Sequence, residues 1–278
     1  MYVLTGGGPM KKLRHALYAV LNASEPDSSD YRIANYLIEN IYKKEHFGIQ
    51  DVADACFVSK SSVSRFCRRI GYADFLAMSQ SIKYVQMRTY KRFDEYLDLP
   101  VDAMAGAYLD QMNRCIEQVR AYATTDILTE LAGLLDRYDK IGIFGQMQSY
   151  SVAMNFQFEL ASLGKHVSSF IMMSQQEDFI LDSGKEAMVI IISSGGRYFQ
   201  DFSRYFDYQS KNRPYLVLIT NNQRLKKCVP YDKVYIVPSD SNTASQPTSL
   251  QIFANLAVMH YSRLLSLRRA EAQAQEQT

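Results

Sequence analysis

Between positions 59 and 69 the chain reads SKSSVSRFCRR, with four hydroxyls and four cations inside about three helical turns. Those residue types suit a polyanion. Short serines let a helix N-terminus come close to a phosphate, and its free N–H groups can hold one. Arginine carries a planar fork of donors that fits a phosphate or the O6/N7 edge of guanine, and lysine adds a point charge. Lys60, Ser61, Ser62, Ser64 and Arg65 are therefore candidates for a DNA groove, with Arg65 the one suited to a base edge. Arg68 and Arg69 suit the phosphate backbone. The same spacing also describes an ordinary amphipathic helix with a solvated basic face.

These side chains need a scaffold, and the flanking sequence predicts one. Val63, Phe66 and Ile70 fall at i, i+3 and i+7, which puts a buried stripe on a helix over about 60–70. Ser59 is suited to cap it. A shorter helix over 50–56 precedes it, with Val52, Ala53 and Cys56 inward and Phe57 and Val58 expected as a buried elbow. Two earlier helices are predicted. One over 10–23 carries Leu13, Leu17, Val20 and Leu21, and one over 30–43 carries Ile33, Leu37 and Ile41 and backs the pair. After Gly71, Asp74 can cap a helix over 75–88. Lys83, Arg88, Lys91 and Arg92 extend the positive charge past it, as a solvated helix end or as contacts to flanking phosphates. The stretch 93–100, FDEYLDLP, reads as a linker, so an all-helical domain is expected over 1–92 and a second domain over 101–278.

The stretch VADACFVSKSSVSRFCRRIGYADF, 52–75, resembles the helix-turn-helix signature of RpiR-type (MurR/RpiR) transcriptional regulators. The match lies in Val58-Ser59, in Ser61-Ser62-Val63-Ser64-Arg65 and in Ile70-Gly71-Tyr72. The resemblance implies a double-stranded DNA operator as partner. A two-fold homodimer or a tetramer is expected with it, because one reading helix covers too few base pairs.

From position 140 the texture changes to short apolar runs over 141–144, 167–170, 188–193, 216–220 and 234–237. Helical stretches over 149–163, 198–210 and 249–267 alternate with them, and two further helices over 102–122 and 126–137 come first, with Thr125 as cap of the second. Apolar strands alternating with helices predict a parallel sheet covered on both faces, an α/β sandwich. Ligands in such sheets bind beyond the carboxyl ends of the strands. Two turns there suit an anion: Gly145, Gln146, Gln148 and Ser149 after the first strand, and Ser193, Ser194, Gly195 and Arg197 after the third. They resemble the Gly-x-Gly-x-Ser and Ser-x-Ser-Gly-x-Thr loops of the sugar isomerase (SIS) domain, which RpiR-type regulators join to their DNA-binding domain. That resemblance implies a phosphosugar effector. The departures are Met147 in place of the second glycine, Ile192 in place of the first serine and Arg197 in place of the threonine. They leave open another anion, or no ligand at all.

Composition sets the outer limits. At 278 residues and 47 % apolar the chain is long enough for two cores. Residues 1–92 hold 14 Lys and Arg against 8 Asp and Glu, and the remainder holds 17 against 21, a basic front and a mildly acidic rear. Cys56, Cys67, Cys115 and Cys228 form no C-x-x-C pair, so neither a disulfide framework nor a zinc site is expected. Without a signal peptide or a run of about 18 apolar residues, the expected location is the cytoplasm, with no membrane partner. Glu159, Glu177 and His166 are the candidate acids and bases for an isomerase, the alternative function, but none falls in a catalytic motif. His15, His46 and His260 stand apart, so no metal, no cofactor and no enzymatic activity is expected.

Overall fold

The structure is a computed structural model that describes residues 9–44, 46–86, 93–200, 202, 204, 206–225, 230–239 and 246–276. These residues divide into two compact units. The first holds the described residues up to 86, with 170–178 and those described between 197 and 205. The second holds 93–169, 179–196 and the described residues from 206 onward.

Five helices build the first unit: α1 (Pro9–Ala23), α2 (Ser29–Asn40), α3 (Ile49–Ala55), α4 (Lys60–Arg69) and α5 (Phe75–Gln86). Their core joins Leu13, Leu17, Ile33, Leu37, Val52, Val63, Phe66 and Ile82. Met78 is also buried there, its sulfur 3.7 Å from the Cys67 thiol. Burial pushes that thiol up to about 11, so Cys67 is an inert core group. The starts of α2 and α5 are capped by side chains, that of α5 by the residue its sequence predicts. Ser28 Oγ accepts the Tyr31 N–H at 3.1 Å, and Asp74 Oδ1 accepts the Ala77 N–H at 2.8 Å. Helix α4 ends in a Schellman motif, in which Gly71 adopts φ +86° and the Tyr72 N–H reaches the Cys67 carbonyl at 2.9 Å.

The elbow between α3 and α4 differs from expectation. Phe57 is not buried but 87 % exposed, and it adopts φ +52°. The Val58 N–H bonds the Ala53 carbonyl at 2.9 Å and the Phe57 N–H bonds that of Asp54 at 3.2 Å. This too is a Schellman turn, so the residue after the cap must be left-handed whatever its side chain. Phenylalanine there carries a cost of about 1–2 kcal/mol that glycine would not.

In the second unit a short helix α6 (Asp94–Leu97) occupies half of the stretch expected as linker. Tyr96 is buried, with Phe93 and Tyr108 rings at 6.4 and 5.9 Å. Then come α7 (Val101–Tyr122) and α8 (Thr125–Arg137), the latter starting from Thr124 rather than from the predicted cap Thr125. The sheet contains β1 (Lys140–Gly145), β2 (Val167–Ser168), β3 (Ala187–Ile192), β4 (Tyr215–Thr220) and β5 (Lys233–Ile236). All pairs are parallel and the order is β2-β1-β3-β4-β5. Helix α9 (Gln148–Ser162) follows β1, and α11 (Gln246–Glu276) closes the unit. On one face Ile141, Ile143, Ile190, Val217 and Ile219 pack against α8, α9 and α11 residues such as Leu131, Phe156 and Phe253. On the other, Phe144 meets Phe179 edge-on at 5.3 Å. Both faces are covered, which is why β1, β3 and β4 read as unbroken apolar runs.

Helix α10 (Met173–Leu181) has no counterpart among the helices expected from sequence. Its inward positions include Gln176 and Glu177, both buried, so it shows no apolar stripe. Tyr198 Oη donates to Gln176 Oε1 at 2.8 Å, and Arg204 bonds Glu177 at 3.3 Å and Asp178 at 2.6 Å. Conversely the helix expected over 198–210 is only a 3-10 turn, Tyr198–Gln200, with 201, 203 and 205 outside the described residues. Its aromatic rings pair with near neighbours in the chain, Tyr198 with Phe199 and Phe206 with Tyr208, each at 5.2 Å. Local ring pairing of that kind does not need helical spacing.

Candidate nucleic-acid interface and anion loops

Helix α4 is held from both ends. At its start Ser59 sits in extended backbone, and its Oγ accepts the Ser62 N–H at 3.1 Å. The same Oγ lies 2.7 Å from Ser61 Oγ and 2.9 Å from Ser62 Oγ, and Arg65 Nη2 donates to Ser62 Oγ at 3.1 Å. A chain of hydroxyls thus runs from the cap to the Arg65 guanidinium, whose other donors have no partner among the described residues. Val63, Phe66 and Cys67 are buried, whereas Lys60, Ser61, Arg65, Arg68 and Arg69 are exposed and Ser62 and Ser64 are half-buried. The hydrophobic stripe fixes the roll of the helix, and the roll presents the cations to solvent.

Arg69 is a special case. Its guanidinium forms an ion pair with Asp30, a buried residue at the start of α2. That pair ties α4 to α2, a role the local sequence did not suggest. Partnering keeps the buried carboxylate from an uncompensated charge. Lys83 has a side chain outside the described residues, as have Arg88, Lys91 and Arg92.

In the second unit the strand order places the topological switch between β1 and β3, with β2 to one side and β4 to the other. Gly145 pairs in register with Ile192, so the two candidate loops leave the sheet side by side. A Cβ on Gly145 would lie 2.7 Å from the Ser149 carbonyl and 3.0 Å from the Ile192 oxygen, so only glycine fits. Met147 begins α9 at φ 52°, ψ −118°, a conformation proper to glycine. The backbone thus has the form expected of a glycine loop although the residue is methionine. Met147 and Gln148 are exposed, Gln146 is half-buried and Ser149 is buried.

The other loop turns tightly, the Gly196 N–H bonding the Ser193 carbonyl at 2.9 Å with Gly196 at φ +66°. It is fastened to the end of β4. Thr220 Oγ1 donates to the Ser194 carbonyl at 3.2 Å, and Asn222 Nδ2 donates to that of Gly195 at 3.0 Å. Asn221 Nδ2 binds the Val237 carbonyl at 3.0 Å and Ser249 Oγ at 2.7 Å, joining β4, the end of β5 and α11. Ser193 and Ser194 are half-buried, Gly195 is exposed, and Arg197, exposed, falls in the first unit. Of the candidate acids and bases, Glu177 is engaged by Arg204 and His166 is exposed beside β2.

Residues 21–83 match the family profile described as a helix-turn-helix domain of the rpiR family. The chain carries an rpiR-family helix-turn-helix domain. This span takes in all of α2, α3 and α4 with the capped turn between the last two. An uncharacterised HTH-type transcriptional regulator of Caldanaerobacter subterraneus is 26 % identical over 137 residues, 49 % of each chain. The chain thus spans about half the length of that relative. The HTH-type transcriptional regulator GlvR of Bacillus subtilis is 22 % identical over 236 residues, 83 % of this chain and 86 % of GlvR. Among solved structures, Vibrio vulnificus NanR complexed with ManNAc-6P aligns over 95 % of this chain and 97 % of its own, with 15 % identity and a TM-score of 0.46. A Methanococcus jannaschii protein, for which 3-hexulose-6-phosphate isomerase function has been inferred, aligns over 57 % of this chain and 90 % of its own, with 17 % identity and a TM-score of 0.43. Among the described residues no helix is long and apolar enough to cross a membrane.

Proposed function

We propose that this protein is a DNA-binding transcriptional regulator whose rear half senses a small anionic effector of the phosphosugar class. The observation that carries the DNA reading is the exposed cationic, hydroxyl-lined face of α4, held by a serine cap inside an rpiR-family domain. Ser59 sets the helix start, Lys60, Ser61, Ser62, Ser64 and Arg65 face the groove, and Arg68 neutralises a phosphate. Arg69 serves chiefly to hold α4 against Asp30. The division of labour runs from a DNA-binding region up to 92, through the stretch 93–100, to an effector and self-association region beyond it. Two copies related by a two-fold axis supply two reading helices, which is what a useful site length requires.

Selection of a bound sequence from a randomised duplex library, followed by anisotropy titration over a range of salt, tests this. Arg65→Ala should weaken the selected duplex by about 1–3 kcal/mol and leave a random duplex nearly unchanged. Arg68→Ala should weaken both alike and reduce the slope of log affinity against log salt by about one. Equal affinity of Arg65→Ala and the parent chain for the selected duplex would refute the base-reading role.

For the effector, the support is the pair of loops beside the β1–β3 switch point, where Gly145 admits no side chain and Thr220 and Asn222 hold the second turn. Gly145, Gln146, Gln148, Ser149, Ser193, Ser194 and Gly195 are the residues proposed to bind it, and the reading stands without Arg197. An effector that binds two arrangements of a regulator unequally shifts their populations by that difference in affinity. Calorimetric titration with a panel of hexose and amino-sugar phosphates should give one saturating ligand. Silence across the panel would remove the phosphosugar assignment while leaving the DNA assignment standing.

A further inference from the structure

We propose that Phe57 is itself a DNA-contact residue, its ring laid against the apolar deoxyribose face of the backbone at the edge of the groove that α4 enters. This rests on the DNA reading above. Two independent costs mark the position. Among the described residues Phe57 is the most exposed large apolar side chain, at 87 %. It also holds φ +52°, in a turn whose hydrogen bonds demand a left-handed residue and would be satisfied more cheaply by glycine. At 87 % exposure the ring packs little against the described residues. A bulky apolar residue at a strained and solvent-facing position points to work done on a partner.

The surroundings select nucleic acid as that partner. Phe57 stands two residues before the Ser59 cap, so the turn delivers its ring beside the start of α4, where Lys60 and Ser61 are exposed. The acids of the neighbouring α3 keep their charge but are hydrogen-bonded to groups of their own segment. Asp51 accepts the Gly48 N–H at 3.1 Å, and Asp54 accepts from Gln50 Nε2 at 2.6 Å. An uncharged ring at the rim of a cationic helix can cover sugar carbons that lysine and arginine leave to water, adding contact area without adding charge.

The experiment uses the full chain with two substitutions, Phe57→Gly and Phe57→Tyr, titrated by anisotropy against a random-sequence duplex and a duplex selected by the parent chain. Phe57→Gly should bind both duplexes roughly tenfold more weakly, as expected for loss of the apolar area one ring buries against sugar carbons. Its salt slope should be unchanged, since no phosphate contact is removed. Its thermal midpoint should hold or rise, because glycine relieves the left-handed strain. Phe57→Tyr should bind as the parent does. Affinity unchanged in Phe57→Gly overturns the proposal, as does a loss of affinity accompanied by a lower midpoint, which would make the ring structural. Failure of the parent chain to bind either duplex would instead overturn the DNA reading on which the proposal stands.

Discussion

Replacing Phe66 by alanine destabilises the helical unit by about 3–5 kcal/mol and abolishes DNA binding near its original melting temperature. Phe66 is fully buried in a core built from α1, α2, α3, α4 and α5, with Val63 and Cys67 beside it. Deleting the ring forfeits its transfer free energy and leaves a cavity that surrounding helices fill only in part. A domain has only about 5–15 kcal/mol of net stability, so the loss is a large share of it. The roll of α4 depends on the same stripe, and a repacked helix would turn Lys60, Ser61 and Arg65 away from one common face. Thermal unfolding followed by circular dichroism should show the midpoint of the helical unit falling by well over ten degrees, at about 4–8 °C per kcal/mol for a domain of this size. Leu76→Ala, at an exposed position of α5, should stay within about 0.5 kcal/mol. Comparable midpoints for the two variants would mean that Phe66 is not packed in the core of the helical unit in solution.

The second large effect concerns Gly145→Ala. The added methyl would meet carbonyl atoms of Ser149 at 2.7 Å and the Ile192 oxygen at 3.0 Å, all backbone. No rotamer change relieves such a clash, so the β1–α9 turn must open or β1 must shift against β3. Overpacking of this kind costs about 1–3 kcal/mol, and it distorts the loop proposed to hold the effector. Two residues further on, the sign reverses. Met147→Gly replaces a side chain held at φ 52°, ψ −118° and should stabilise the second unit by about 1 kcal/mol. Denaturant titration of the two variants checks the pair together. Neutral Gly145→Ala with destabilising Met147→Gly would contradict the turn as described.

Much of this was open to sequence reasoning because it depends on neighbours a turn apart. The Val63, Phe66 and Ile70 stripe, the Ser59 and Asp74 caps and the apolar runs of β1, β3 and β4 are short-range patterns, and each reports which face is buried. The misses share a different origin. Helix α10 buries Gln176 and Glu177 because Tyr198 and Arg204, more than twenty positions away, supply their partners. Arg69 reads as one more basic residue until Asp30 is brought beside it. Phe57 reads as core because it is aromatic. The α3–α4 turn geometry instead turns it out to solvent.

Order along the chain by itself settled that a basic helix with a serine start would stand in a helical front region, and that an α/β sheet would follow it. Periodicity encodes burial, and burial drives both. Which strand lies beside which, how closely β1 approaches α9, and which cations remain free depend on groups far apart in sequence. Those were decided only when the folded chain paired them, because a charge, a clash or a left-handed turn acquires its energy from its neighbours in space.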